Sequence, residues 1–191
     1  IYYDTKDNSL IRESLSKPTY KEKLRLRSYG VPDMDSNVFL EMKKKYRGLV
    51  NKRRTTLELG EAYDFIETGV KPELQDYMNG QVLNELEYCL NLYDLEPKVY
   101  IAYDRLAYFE KGNDDLRISF DTNIRTRRSD LLLESGDHGK RLLDSDVWLM
   151  EIKTSLAKPL WLCEMLSEFE IRSSSFSKYG TEYKNMIARQ K

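Results

Sequence analysis

The sequence predicts an α+β fold, in which an antiparallel sheet closes into a β tunnel barrel with a lumen lined by Lys and Arg and with helices packed on the outside. Several segments alternate apolar with charged residues at a period of two, which is typical of strands that bury one face. Other segments space their apolar residues as amphipathic helices do. The charged residues of the strand segments are mostly cations, and a row of like charges is unfavourable unless an anion lies among them. Closing the sheet around this charged face would enclose the anion.

Composition restricts the class of protein. The 191 residues are 40% hydrophobic and 33% charged, which indicates one unusually charged globular domain over residues 1–191. There is no apolar run of about 18 residues and no signal-peptide pattern, so we expect no membrane segment. Cys89 and Cys163 lack CxxC spacing and are expected to be buried, reduced thiols of a cytoplasmic protein. His138 is the single histidine and is expected in a loop, which argues against a structural zinc site and against a Ser-His-Asp mechanism.

Charge is segregated along the chain. Residues 17–54 contain twelve bases and four acids, whereas residues 58–96 contain ten acids and one base, Lys71. The overall net charge of -1 hides this asymmetry. Segregation of this kind indicates that one surface binds an anion.

The first two predicted strands form a hairpin, at residues 20–29 and 37–45, joined by a turn at residues 30–33. On the first strand, Glu22, Leu24 and Leu26 share one face, and the other face carries Lys21, Lys23, Arg25 and Arg27. On the second strand, the apolar face consists of Val38, Leu40 and Met42, and the opposite face carries Phe39, Glu41, Lys43 and Lys45.

Further elements follow the hairpin. Residues 80–93 have helical spacing, and Pro97 is expected to end that helix. Strands are predicted at residues 99–109, 115–123 and 148–154, and helices at residues 159–171 and 181–190.

The later strands carry lone cations among apolar or aromatic neighbours, at Arg105, Arg117 and Lys153. A closed barrel would bring these cations to the same interior as the cationic face of the hairpin. The alternative is an open antiparallel sheet whose charged face lies in water.

A polyphosphate suits such an interior, because it needs many donors along a line, and Arg and Lys supply forked and point-like contacts. The predicted phosphate ligands are Lys21, Lys23, Lys45, Lys52, Arg54 and Lys153. Glu41 and Glu151 lie on the same faces as these cations, and a divalent metal, Mn²⁺ or Mg²⁺, could bridge them to the phosphates. The alternative is that each Glu only pairs with a neighbouring Lys.

Several stretches together form a family pattern: YKEKLRLRSYG at residues 20–30, VFLEMK at residues 38–43, and Asp121-Thr122. In combination they resemble the VTC-type polyphosphate polymerase domain, the catalytic module of the vacuolar transporter chaperone complex, in the triphosphate tunnel (CYTH-like) superfamily. The resemblance extends over nearly the whole chain. It implies a tunnel barrel that elongates polyphosphate from the γ-phosphate of ATP with Mn²⁺ or Mg²⁺.

The resemblance also implies roles for individual residues. The expected catalytic cations are Arg25, Arg27, Lys43, Arg105, Arg117 and Lys178. Lys52 corresponds to a further tunnel lysine, and Glu151 in LMEIK corresponds to the metal ligand. The first strand of the family pattern would precede Ile1, so we expect a fragment whose barrel is short by one strand.

Three alternatives to the polymerase remain. A tunnel-fold hydrolase of triphosphates would use the same lumen, but hydrolases of this superfamily place more Glu residues in the tunnel. A non-catalytic polyphosphate-binding module would be indifferent to metal. Nucleic-acid binding is disfavoured, because aromatic residues are not interleaved with the cations of residues 20–29.

Overall fold

The computed structural model describes residues 1–155 and 157–190, and within these residues the chain forms eight strands and five helices. The strands are β1 (Tyr2–Thr5), β2 (Tyr20–Arg27), β3 (Asn37–Tyr46), β4 (Leu49–Glu58), β5 (Leu95–Glu110), β6 (Asn113–Arg127), β7 (Lys140–Arg141) and β8 (Leu149–Lys153). The helices are α1 (Ser9–Leu15), α2 (Leu59–Thr68), α3 (Gly80–Leu92), α4 (Leu160–Glu168) and α5 (Lys178–Arg189).

All strand pairs are antiparallel, in the order β4-β3-β2-β1-β5-β6-β7, and β8 also pairs with β6. The α+β class and the antiparallel sheet are therefore confirmed. The predicted closure is not confirmed, since among the described residues no hydrogen-bonded ladder joins β4 to β7 or β8. Alternation in a sequence shows which face of a strand is apolar, but it does not show whether two sheet edges meet.

The sheet nevertheless curls. β3 and β8 are separated by four intervening strands, which in a flat sheet would place them about 24 Å apart. Yet the charges of Glu151 and Lys153 on β8 act on the ammonium group of Lys43 on β3. The two ends of the sheet therefore lie closer together than they would in a flat sheet.

The main core lies on the convex face of this sheet. There the apolar residues of the first hairpin and of β4 pack against helices α2 and α3. Its fully buried members include Leu24, Leu26, Leu40, Met42, Leu57, Phe65, Leu83 and Leu86. Each such side chain contributes about 1.5–3 kcal/mol relative to exposure, so this core defines which face of β2 and β3 is left for the cations.

Two helices lie on the other face, which differs from the expectation that all helices pack outside. Val99 and Arg25 are both directly paired with Tyr2 and therefore share its face. Val99 is buried in a second cluster with Ile11 of α1 and with Tyr179 and Tyr183 of α5. Helices α1 and α5 thus cover part of the face that carries the cations.

The predicted elements are largely confirmed, with shifts at their ends. The helix at 80–93 ends at Leu92, and Pro97 lies within β5 rather than at the helix end. Proline is tolerated there because this part of β5 pairs with β1 alone, whereas the ladder with β6 begins at Tyr100.

The thiol and histidine expectations are met in part. Cys89 is a buried free thiol, but Cys163 on α4 is exposed, because α4 buries only Leu162. His138 lies in a loop, as predicted. Within the described part of the chain, none of the helices has both the length and the apolar composition needed to cross a membrane.

Candidate functional site

The ladders place the predicted cations in register on one face, here called the lumen face. Lys43 of β3 pairs with Lys23 of β2 and with Lys52 of β4, and Lys21 pairs with Lys45. Two residues before Lys43 on β3, Glu41 pairs with Arg25 of β2 and with Arg54 of β4. The predicted division of β2 and β3 into an apolar and a charged face is therefore confirmed.

Glu41 is the centre of the first charged cluster. Its side chain is 1% exposed, Arg25 Nε donates to its Oε2, and Lys52 Nζ lies 2.8 Å from its Oε1. Burial raises the pKa of Glu41, but the interactions with Arg25 and with the nearby Lys52 ammonium outweigh it, so the pKa lies below its ordinary value. Arg25 Nη1 also donates to the Tyr2 hydroxyl at 3.4 Å. Glu41 therefore orients two cations of the lumen face.

Asp121 is the centre of the second cluster, formed by β5, β6, β8 and α5. Its side chain is 2% exposed and accepts two hydrogen bonds from Arg105, with Nε at 2.5 Å and Nη2 at 2.8 Å. Lys178 Nζ of α5 donates to Oδ2 at 2.5 Å. Arg105 Nη2 also lies 3.7 Å from Glu151, and Glu151 lies 3.3 Å from Lys153. Five charged side chains from four elements thus converge.

Lys23 lies between the two clusters. Its Nζ donates to Ser177 Oγ at 3.4 Å, next to Lys178 at the start of α5. The pKa of Lys23 is lowered to about 8, mainly by burial and also by the charges of Lys21 and Lys43, against an opposing effect of Asp4. A bound anion would therefore favour the charged form of Lys23.

Aromatic rings support several of the remaining cations. The guanidinium carbon of Arg117 lies 5.2 Å from the ring centroid of Phe109, and that of Arg54 lies 4.9 Å from Phe39. Arg27 stacks on Tyr29 at 4.5 Å. Such contacts hold a guanidinium while leaving its N–H groups available to a ligand. Lys21 instead donates to the carbonyl oxygen of Ser14 at 3.2 Å, at the end of α1.

The two predicted metal ligands lie in different environments. Glu41 has a cation next to each of its oxygens, which fits the alternative that it only pairs with its neighbours. Glu151 has a side chain that is 46% exposed and stands at the edge of the second cluster. In the described residues, no three His, Cys, Asp or Glu side chains are placed to hold a metal ion together. Because Mg²⁺ commonly binds one or two carboxylates plus substrate phosphates, Glu151 fits such an ion as a single protein ligand.

Some residues of the site were not predicted as functional. Asp121 shares the phase of Arg117 and Ser119 along β6, so the alternation already placed it on the lumen face. Tyr103 lies against two cations, 4.3 Å from Lys178 and 5.1 Å from Arg105 by its ring centroid. Tyr103 begins the stretch YDRLAYF, at residues 103–109, by which Arg105 matches the family pattern, but no role was predicted for it.

A protein-family model described as the VTC domain matches residues 1–187. This chain belongs to the VTC domain family. The family expected from the motifs of the first strands is thereby confirmed.

Two known proteins resemble this VTC domain. Vacuolar transporter chaperone complex subunit 4 of Schizosaccharomyces pombe is 28% identical over 162 residues, which cover 74% of this chain and 22% of that protein. The chain thus spans less than a quarter of the length of this curated relative. A crystal structure of a candidate adenylate cyclase from Bacillus halodurans aligns with a TM-score of 0.46 and 15% identity, covering 92% of this chain and 75% of that chain.

Proposed function

We propose that this VTC domain is an ATP-dependent polyphosphate polymerase, which transfers the γ-phosphate of ATP to a growing polyphosphate chain held on the lumen face. The observation that carries the proposal is the placement of the Glu41 and Asp121 clusters on one face, with Lys23 between them. Membership of the VTC family and the relationship to a vacuolar transporter chaperone subunit support it.

The charge balance of the lumen face favours a polyanion. Twelve predicted cations contribute to it; in the described ion pairs their carboxylate partners are Glu41, Asp121 and Glu151, and the charge of Asp4 also acts on Lys23. The charges of Lys21 and Lys43 add to burial in lowering the pKa of Lys23. A polyphosphate carries about one negative charge per phosphate, so several phosphates in a row would relieve the repulsion along β2, β3 and β4.

In the proposed reaction, a terminal oxygen of the polyphosphate attacks the γ-phosphorus of ATP, the bond between this phosphorus and the β–γ bridging oxygen breaks, and ADP leaves. Phosphoryl transfer depends mainly on positioning and charge neutralisation. Arg105 and Lys178 would hold the transferred phosphoryl group, whereas Arg25 and Lys43 would hold the acceptor chain. Mn²⁺ or Mg²⁺ held by Glu151 would neutralise charge on the phosphates.

The polymerase proposal is tested by incubating the purified protein with ATP and Mn²⁺ and separating the products on a polyacrylamide gel stained for polyphosphate. We expect a ladder that an exopolyphosphatase removes. Orthophosphate without a ladder would instead identify a triphosphate hydrolase. Tight polyphosphate binding with no turnover would identify a non-catalytic binding module.

The proposed metal ligand is tested by Glu151→Gln, with Glu41→Gln as the comparison. We expect Glu151→Gln to raise the Mn²⁺ concentration needed for half-maximal turnover by at least about tenfold, since one charged ligand is lost. Glu41→Gln should leave that concentration unchanged. An unchanged Mn²⁺ titration for Glu151→Gln would remove Glu151 from the metal site.

A further inference from the structure

Asp121 occupies an unusual place for a carboxylate, because it is buried beside cations that the proposed reaction requires to face an anionic substrate. Its oxygens are occupied by two hydrogen bonds from Arg105 and one from Lys178. Burial raises the pKa of Asp121, but the hydrogen bonds and charges of Arg105 and Lys178 outweigh it and hold the pKa below its ordinary value. The carboxylate is therefore ionised at neutral pH.

The two partners of Asp121 come from different parts of the fold. Arg105 lies directly opposite it in the β5–β6 ladder, whereas Lys178 is the first residue of α5, 57 positions further along the chain. A lysine at a helix start has many rotamers, and an unguided ammonium would lose entropy when it is ordered by substrate. Asp121 removes this cost in advance, because it fixes Lys178 beside Arg105.

The residue before Lys178, Ser177, also contacts the lumen face, and this contact requires the same position of the α5 start. Ser177 accepts a hydrogen bond from Gly180 N at 3.2 Å and one from Lys23 of β2 at 3.4 Å. At Gly180 an added Cβ would lie 3.1 Å from Leu15 and 3.2 Å from Ser177, so the helix start is closely packed. The α5 start thus connects β2 and β6 across the lumen face, with Asp121 as the anchor on the β6 side.

We propose that Asp121 is a positioning residue, which holds Arg105 and Lys178 as a preassembled pair for the transferred phosphoryl group. This inference rests on the proposed polymerase function. Asp121 does not bind the substrate itself, because its oxygens already accept from the two cations and a carboxylate repels phosphate. Tyr103, whose ring lies against both cations, limits their movement towards other partners.

The experiment compares Asp121→Asn with a matched control, Glu182→Gln. Glu182 of α5 is also buried and also pairs with an arginine that directly follows β6, Arg128, at 2.9 Å and 2.7 Å. Both substitutions remove one buried carboxylate between α5 and the β6 segment, but Glu182 contacts none of the predicted lumen cations in the described contacts. Only loss of the Asp121 carboxylate should misplace Arg105 and Lys178.

For Asp121→Asn we expect kcat to fall by about tenfold to a hundredfold, the range for a misplaced catalytic group, while KM for ATP stays the same or decreases. By electrostatics alone, removing a negative charge from the lumen face would strengthen anion binding and would not slow turnover. A lower kcat without a higher KM therefore indicates a loss of positioning. Glu182→Gln should keep kcat within about twofold. An unchanged kcat in Asp121→Asn, or an equal loss in Glu182→Gln, would overturn the proposal.

A second measurement does not depend on turnover. In ¹H–¹⁵N spectra of the side chains, we expect the Arg105 Nε–H signal to be shifted and protected in the parent protein and in Glu182→Gln, and to lose both properties in Asp121→Asn. On titration with tripolyphosphate, the Arg105 and Lys178 signals should change together in the parent protein but not in Asp121→Asn. If the protein makes no polyphosphate, the polymerase proposal fails, and these spectra still decide whether Asp121 pairs the two cations.

If Asp121→Asn does not fold, Asp121→Glu replaces it. This variant keeps the charge but moves the carboxylate by one methylene group. We expect a folded protein with reduced kcat, and full activity of Asp121→Glu would contradict a positioning role.

Discussion

At the scale of single residues, the cations of the lumen face are not equivalent, because they have different neighbours. Arg25 pairs with a buried carboxylate, whereas Arg27 stacks on the exposed ring of Tyr29. Although the family pattern treats these two arginines as a pair, they should contribute differently to stability. Removing one partner of a buried ion pair leaves the other uncompensated.

We therefore predict that Arg25→Ala lowers the free energy of unfolding by about 2 kcal/mol, because among the described ion pairs Glu41 keeps that with Lys52 alone. Arg27→Ala should change it by less than about 0.5 kcal/mol. Urea denaturation of both variants measures this difference. Equal stabilities would mean that the Arg25–Glu41 pair has no net structural role.

Lys23 is predicted to take up a proton when polyphosphate binds. Its pKa is about 8 in the free protein, so above that pH the Lys23 side chain is mostly a neutral amine. A bound polyanion favours the charged ammonium form. Affinity for tripolyphosphate should accordingly decrease as pH rises above about 8.

Calorimetric titration at pH 8 in two buffers of different ionisation enthalpy measures this proton uptake. Lys23→Arg, which stays charged, should show less uptake, with the remainder due to Lys43, whose pKa burial also lowers. Undiminished uptake in Lys23→Arg would assign the proton to another group.

At the scale of secondary structure, neighbouring residues of one strand serve opposite faces. Lys43 lies on the lumen face between Lys23 and Lys52, whereas Lys44 points to the convex face and lies 3.8 Å from Glu85 of α3. Because successive side chains of β3 point to opposite faces, Lys43 is placed for phosphate binding and the next residue, Lys44, for contact with α3.

The pair Lys43 and Lys44 provides a matched test of this separation. Lys43→Ala should weaken tripolyphosphate binding by about tenfold, the value of one charge-assisted hydrogen bond. Lys44→Ala removes the same charge and should leave binding within about twofold, because its contact with Glu85 is a surface ion pair of small energy. Isothermal titration calorimetry measures both affinities, and similar losses would show that only overall charge matters.

At the scale of the whole molecule, two buried carboxylates each connect three elements on the charged side of the sheet. Glu41 links β2, β3 and β4, and Asp121 links β5, β6 and α5. Both have a pKa below the ordinary value in the folded protein. Their stabilisation is complete above the pKa that they have in the unfolded chain, and it is lost as pH falls through the folded values.

We predict that the urea midpoint changes little between about pH 7 and 5 and decreases below about pH 4, near the ordinary pKa of Asp and Glu. In Asp121→Asn the decrease should be smaller, because one of these carboxylates is absent. A midpoint in Asp121→Asn that decreases as steeply as in the parent protein would show that other acids control acid unfolding.

The local properties of the lumen face follow directly from the order of residues. Alternation along residues 20–27 and 37–45 is enough to divide Leu24 and Leu40 from Arg25 and Glu41, because successive strand side chains point to opposite faces. The same rule placed Arg117 and Glu151 on the charged face. The motifs around these residues also identified the family.

The tertiary structure decided which residues that are far apart in the sequence contact each other. Lys178 reaches Asp121, Lys23 reaches Ser177, and the charges of β8 act on Lys43 through the curl of the sheet and the docking of α5. The open edges and the position of α1 and α5 on the lumen face likewise come from packing between elements. Alternation records only the two faces of each strand, whereas contacts between strands and helices far apart in sequence arise from the way the whole apolar surface is buried.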